Sequence, residues 1–142
     1  MYAITIQQPY AYYITLPVED PRHKRVENRT WAPHPAAIGR RLAIHAGKGR
    51  DWLRRPVPFP HPSIRDLAFG AVVATCRLAA CVHIDDLRFS DYSDWAVRHP
   101  HTHGPFCWIL ENVRVLPEPC PAGGSQGLWR WQPPAGLDEE TL

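Results

Sequence analysis

The segment Lys24-Arg25-Val26-Glu27-Asn28-Arg29-Thr30-Trp31 gathers one carboxylate, three cationic side chains and an indole into a single short stretch. In an extended chain, side chains two apart share a face, so Arg25, Glu27, Arg29 and Trp31 are expected on one side of a strand running from Lys24 to Trp31. Arginine forks phosphate and aromatic rings stack on bases. A carboxylate accepts the amino hydrogens of a base edge. Two readings of this face stand together: a surface that recognises a nucleotide, and a structural Glu27–Arg29 ion pair with Trp31 in the core.

A second cluster follows. Lys48 lies between Gly47 and Gly49, and a glycine-flanked lysine at a strand end projects from a tight turn whose amides also face an anion. His45, just before it, is either a proton-transfer group for a phosphodiester or a hydrogen-bonded core residue. Gln7 and Gln8 precede a helix; whichever faces a cleft reads a base edge, and the other caps the helix start. Tyr10 either stacks on a base or packs the helix. Lys24, Glu27 and Lys48 also hold the ingredients of hydrolysis, a carboxylate to activate water and a lysine to stabilise an oxyanion. A carboxylate beside cations is held at low pKa, which favours hydrogen-bond acceptance over base catalysis. The candidate ligand-binding residues are therefore Gln7, Gln8, Tyr10, Lys24, Glu27, Arg29, Trp31, His45 and Lys48, with catalytic roles for Lys24, Glu27 and Lys48 only if the protein is an enzyme.

Metal chemistry has weaker support. Cys76, Cys81, Cys107 and Cys120 form no Cys-x-x-Cys pair and read as buried thiols. His99, His101 and His103 alternate, but Pro100 and Gly104 place them in a loop without a second ligand group at zinc spacing. No metal or cofactor is expected.

Strands are expected over Tyr2–Ile6, Lys24–Trp31, Arg41–Ala46, Phe69–Ala80 and Phe106–Leu116, with a last short one or a turn at Leu128–Trp131. A helix opens at Pro9 and ends at Leu16, before Pro17. Short helical turns are expected at Arg50–Arg54 and Asp91–Val97. Pro56, Pro58, Pro60 and Pro62 forbid regular structure between them and leave a surface loop, lid or connector. Five or six strands with two to four short helices predict an α+β fold, a small and mostly antiparallel barrel whose end lines a concave site.

The chain has 142 residues, 44% of them hydrophobic and 21% charged, as expected for one folded domain over 1–132, followed by a mobile acidic tail over 133–142. No apolar run is long enough for a membrane span and no signal segment is evident, so a cytoplasmic protein without a membrane partner is expected. Between Arg22 and Arg55 ten Lys and Arg face only Glu27 and Asp51, a local net charge of +8, while the remainder carries −6. Such asymmetry favours a polyanionic partner.

Five motifs in order carry a family resemblance over about residues 3 to 131. They are Ile6-Gln7-Gln8-Pro9-Tyr10-Ala11; Lys24-x-x-Glu27-Asn28-Arg29-x-Trp31; Gly39-Arg40-x-Leu42-x-Ile44-His45-Ala46-x-Lys48; Gly70-Ala71-Val72-Val73; and Phe106-x-Trp108 with a Gly127-Leu128-Trp129 ending. Together they resemble the ASCH domain, a relative of PUA domains. The resemblance implies a PUA-like barrel with a cleft between barrel and first helix, and a role in binding RNA or other nucleic acid. It also leaves open an enzyme, because one small branch hydrolyses the amide of N4-acetylcytidine and another member is a ribonuclease. That branch carries Lys-x-x-Thr-x-Arg; Lys24 and Arg29 match it, but Glu27 stands in place of the threonine. The expectation is a protein that binds RNA, a nucleotide or a nucleoside in a basic cleft, with a hydrolase acting on RNA or on an acylated nucleoside as the alternative. Protein recognition through Asp85 to Asp94 and the acidic tail has the least support.

Overall fold

A computed structural model describes residues 1–142. Six strands, β1 (Tyr2–Ile6), β2 (Val26–Arg29), β3 (Arg41–Ala46), β4 (Ala71–His83), β5 (Phe106–Pro121) and β6 (Leu128–Arg130), form one sheet in the order β2-β5-β4-β3-β1-β6. Every pairing is antiparallel except β1 with β3, where Ile4 lies opposite Ile44. One α-helix, α1 (Tyr10–Thr15), and five 3-10 turns complete this small α+β fold, and no helix is long and apolar enough to cross a membrane.

The central strands explain the curl. β4 is buried from Ala71 to Cys76 and its register against β5 shifts three times, each bulge adding local twist and bend. Ile4, Ile6, Leu42, Ile44, Leu78, Trp108 and Leu110 fill the concave side, and Ile14 of α1 covers them. β5 continues past its expected end at Leu116, through Pro117, Pro119 and Pro121. Only β4 pairs with that stretch, so proline's missing N–H falls on a free edge. Residues 133–142 run back over the sheet, where Leu137 and Leu142 pack beside Val72, Leu116 and Trp131. The Leu142 carbonyl accepts from Arg41 Nε at 2.9 Å and from the Thr75 hydroxyl.

The second strand is shorter than expected. It spans Val26–Arg29 only, so the alternation does not reach Arg25. Arg25 instead lays its guanidinium 3.6 Å from the Trp95 ring centroid, away from Glu27 and Arg29. All four cysteines are free thiols, with Cys76 and Cys107 buried.

Candidate functional site

The ladder leaves β2 and β6 as its two edges, and the curl brings β2 toward β1 without a backbone pairing between them. A side chain spans the gap. Arg29 of β2 donates from Nη2 to the Thr5 carbonyl of β1 at 2.7 Å. The seam is thereby held open as a cleft, which Arg29, Thr5 and Gln7 divide into two adjoining hollows.

The first hollow, about 430 Å³, is lined by Tyr10, Lys24, Glu27, Asn28, Trp52, His101 and His103 with the three dividing residues and Ile6. Glu27 lies at its centre of charge. Its Oε1 is 3.2 Å from Lys24 Nζ, and its Oε2 accepts from Arg29 Nε at 2.9 Å, with Nη2 a further ion-pair contact at 2.8 Å. Lys24 also donates to the Val26 carbonyl at 2.6 Å. The ammonium keeps one uncommitted proton and Oε1 one open lone pair, so the buried pair offers a donor beside an acceptor. Burial pushes the Lys24 pKa down against the opposing pull of Glu27. Tyr10 and Trp52 meet edge to face with centroids 5.6 Å apart, supplying aromatic surface at the mouth.

The second hollow, about 630 Å³, contains Lys48 and Arg29 but no carboxylate. Lys48 is exposed and makes no ion pair or side-chain hydrogen bond; Arg29 Nη1 is likewise unpaired. Across from them the backbone N–H groups of Gly123 to Gly127 bond to nothing within the protein. A Cβ on Gly124 would fall 2.7 Å from His45 Cε1 and 2.8 Å from Thr5 Oγ1, so only glycine lets this loop press so closely on the sheet.

Several expectations need correction. Lys48 and Glu27 line different, adjoining hollows on either side of Arg29. Gln8 does not line the cleft: it is buried, donates from Nε2 to the Ala68 carbonyl and accepts from the Tyr12 N–H, tying the helix to the sheet. Gln7 is the one that faces the cleft. His45 takes its bland reading: Nε2 donates to the Ala122 carbonyl at 2.7 Å, leaving Nδ1 to accept from the Thr5 hydroxyl at 3.1 Å. Its proton is committed to holding the glycine loop. Trp31 serves twice, lining the second hollow while its ring packs edge to face on buried Trp108 at 5.0 Å.

Sequence reasoning missed Thr5, Asn28, Trp52, His101 and His103. The histidines arrive because Asn28 clamps their loop to β2, donating to the His101 carbonyl at 2.7 Å and accepting the N–H groups of His103 and Gly104, each at 2.8 Å. A strand asparagine five residues before Pro33 was the available signal. Asn28→Ala removes three hydrogen bonds at once. It is expected to cost about 2–3 kcal/mol and to speed amide hydrogen exchange at residues 101 to 104, both measurable by exchange mass spectrometry with denaturant titration. Trp52 enters because the Pro56–Pro62 loop folds toward the site, Phe59 packing 5.8 Å from Tyr13 and 5.6 Å from His101, centroid to centroid. The loop does not itself line the first hollow but backs His101, which does.

No protein-family model and no curated protein sequence matches the chain. Among solved structures it is similar to the crystal structure of ASCH from Zymomonas mobilis, at 20% identity over 84% of this chain and 72% of that one, TM-score 0.44. Two variants of the same protein also match. One, tyrosine to phenylalanine, is 19% identical over 84% and 74% of the two chains, TM-score 0.45; the other, serine to alanine, is 20% identical over 84% and 72%, TM-score 0.45.

Proposed function

We propose that the seam binds single-stranded RNA, seating one base in the first hollow and an adjoining phosphate in the second. The observation that carries this reading is the division of charge across Arg29. One hollow offers a carboxylate and aromatic rings, and the other has Lys48 and Arg29 with no carboxylate among its lining residues. A base edge needs donor and acceptor together, which Lys24 and Glu27 present; a phosphate needs positive charge without a competing carboxylate, which Lys48, Arg29 Nη1 and the glycine loop present. Trp52 and Tyr10 stack on the seated base. The basic third of the sequence supplies the longer-range attraction.

Binding of a mixed-sequence RNA pool, followed by fluorescence anisotropy, is expected to weaken steeply with salt. Lys48→Ala is expected to reduce the slope of log affinity against log salt by about one, and Trp52→Ala to weaken binding about tenfold with the slope unchanged. Affinity indifferent to salt would count against the reading.

A hydrolase remains the second reading, favoured by one observation: Lys24 is buried in the first hollow beside Glu27, with its pKa pushed down by burial. Incubating the same protein with total RNA and with N4-acetylcytidine tests it; turnover abolished in Lys24→Met would favour catalysis over binding alone.

A further inference from the structure

We infer that Gln7 recognises the ribose 2′-hydroxyl, making the cleft selective for RNA over DNA; this rests on the binding mode proposed above. A nucleotide with its base in one hollow and its phosphate in the other must lay its sugar across the residues that line both, namely Thr5, Gln7 and Arg29. Two of these are already committed. The single Thr5 hydroxyl proton is shared between His45 Nδ1 and the Ser125 carbonyl while its oxygen accepts from Trp129 Nε1, and the Thr5 carbonyl accepts from Arg29. Arg29 is a donor only.

Gln7 differs. Its Oε1 is buried and has no hydrogen-bond partner, while Nε2 is not among the buried unpartnered atoms and is the end that solvent reaches. The carboxamide rests flat against a glycine turn: a Cβ on Gly47 would lie 2.4 Å from Nε2, and one on Gly49 would lie 2.7 Å from Oε1. An unpartnered buried carbonyl is costly to keep. No bond within the protein fixes which end of the amide faces the cleft, so turning about Cγ–Cδ breaks nothing and delivers the oxygen to the ligand side. A 2′-hydroxyl both donates and accepts, so it accepts from Nε2 in the orientation observed and donates to Oε1 in the turned one. A deoxyribose can make neither bond. The glycines of the Gly47-Lys48-Gly49 turn thus serve two purposes, projecting Lys48 and giving Gln7 a place to lie.

The test uses one mixed-sequence pool of short single strands made in three chemistries: ribose, deoxyribose carrying deoxyuridine, and 2′-fluororibose, which keeps the RNA-like pucker but donates no hydrogen bond. The native chain is expected to bind the ribose pool about tenfold more tightly than either other pool, the worth of one hydrogen bond. Gln7→Ala, which removes no existing bond, is expected to bring ribose binding down to the deoxyribose level and leave deoxyribose binding unchanged. Equal binding of ribose and 2′-fluoro strands by the native chain, or equal weakening of every pool by Gln7→Ala, overturns the assignment while the RNA-binding reading stands. Absence of binding to all three pools overturns that reading, and the assignment with it.

Discussion

Glu27→Gln lowers the unfolding free energy by about 3 kcal/mol or more, the expected result of removing one partner from a buried ion pair. The side chains of Lys24 and Glu27 are 3% and 10% exposed, so a neutral amide leaves the Lys24 ammonium largely buried without its counter-charge, and Arg29 loses its ion pair with Oε2. An upper limit follows from the alternative open to Lys24, which is to shed its proton; neutralising a lysine of ordinary pKa at pH 7 costs about 5 kcal/mol. Burial already holds its pKa below the usual value. A group whose folded pKa is depressed gains stability as pH rises from the folded value to the unfolded one. The Glu27→Gln protein is therefore expected to recover part of its loss between neutral pH and about 10. Lys24→Met combined with Glu27→Gln should be less destabilised than Glu27→Gln alone, a non-additivity that denaturant unfolding of the four proteins resolves. If Glu27→Gln unfolds at the same denaturant concentration as the native chain, the three charges are solvated and the site described here does not exist.

Acid is expected to weaken the fold before most carboxylates titrate. Burial, with neighbouring His101 and Lys24 adding repulsion, pushes His99 down to about 3; burial and Lys24 push His101 down to about 4. Both histidines are built in as neutral rings. His99 Nε2 accepts the Arg25 N–H at 3.0 Å, and His101 Nε2 donates to the Arg22 carbonyl at 2.9 Å. Their folded values lie below the unfolded one near 6.5. Their contribution is therefore complete above pH 6.5 and is lost as pH falls toward 4 for His101 and toward 3 for His99. For His101 the full loss is about 3 kcal/mol, an order-of-magnitude figure. Asp20, held down to about 2 by Arg22, acts only in the lower window beneath its ordinary value of 3.8. Unfolding midpoints between pH 7 and 4.5 should therefore decline, and decline less in His101→Gln. An NMR titration placing the His101 pKa near 6.5 would remove the cause.

What the sequence made legible was local. Period-two alternation found Tyr2–Ile6 and Arg41–Ala46 to the residue, because each keeps one face against the core throughout. It over-extended the strand around Glu27, since a run of charged residues carries no apolar beat to mark where Val26 begins. It stopped β5 at the first proline, because the sequence does not say which stretch of a long strand lacks a second neighbour. Glu27, Arg29 and Lys24 were recognisable from type and spacing, and they do meet. Lys48 was recognisable too, but its separation from Glu27 depends on where Arg29 crosses the seam. His101 and Trp52 come from loops whose placement is decided by Asn28 and Phe59, contacts that no periodicity encodes.

The lone parallel pairing carries a last consequence. β1 sits between β3 and β6, and the two hollows draw residues from positions 5, 29, 45, 101 and 125, so the binding surface cannot be assembled from any contiguous piece of the chain. During synthesis the first strand emerges long before its outer partner, and its edge stays unpaired until residues 128–130 leave the ribosome. Such distant pairings close slowly. The second hollow accordingly takes shape only after residues 124–130 have joined the sheet.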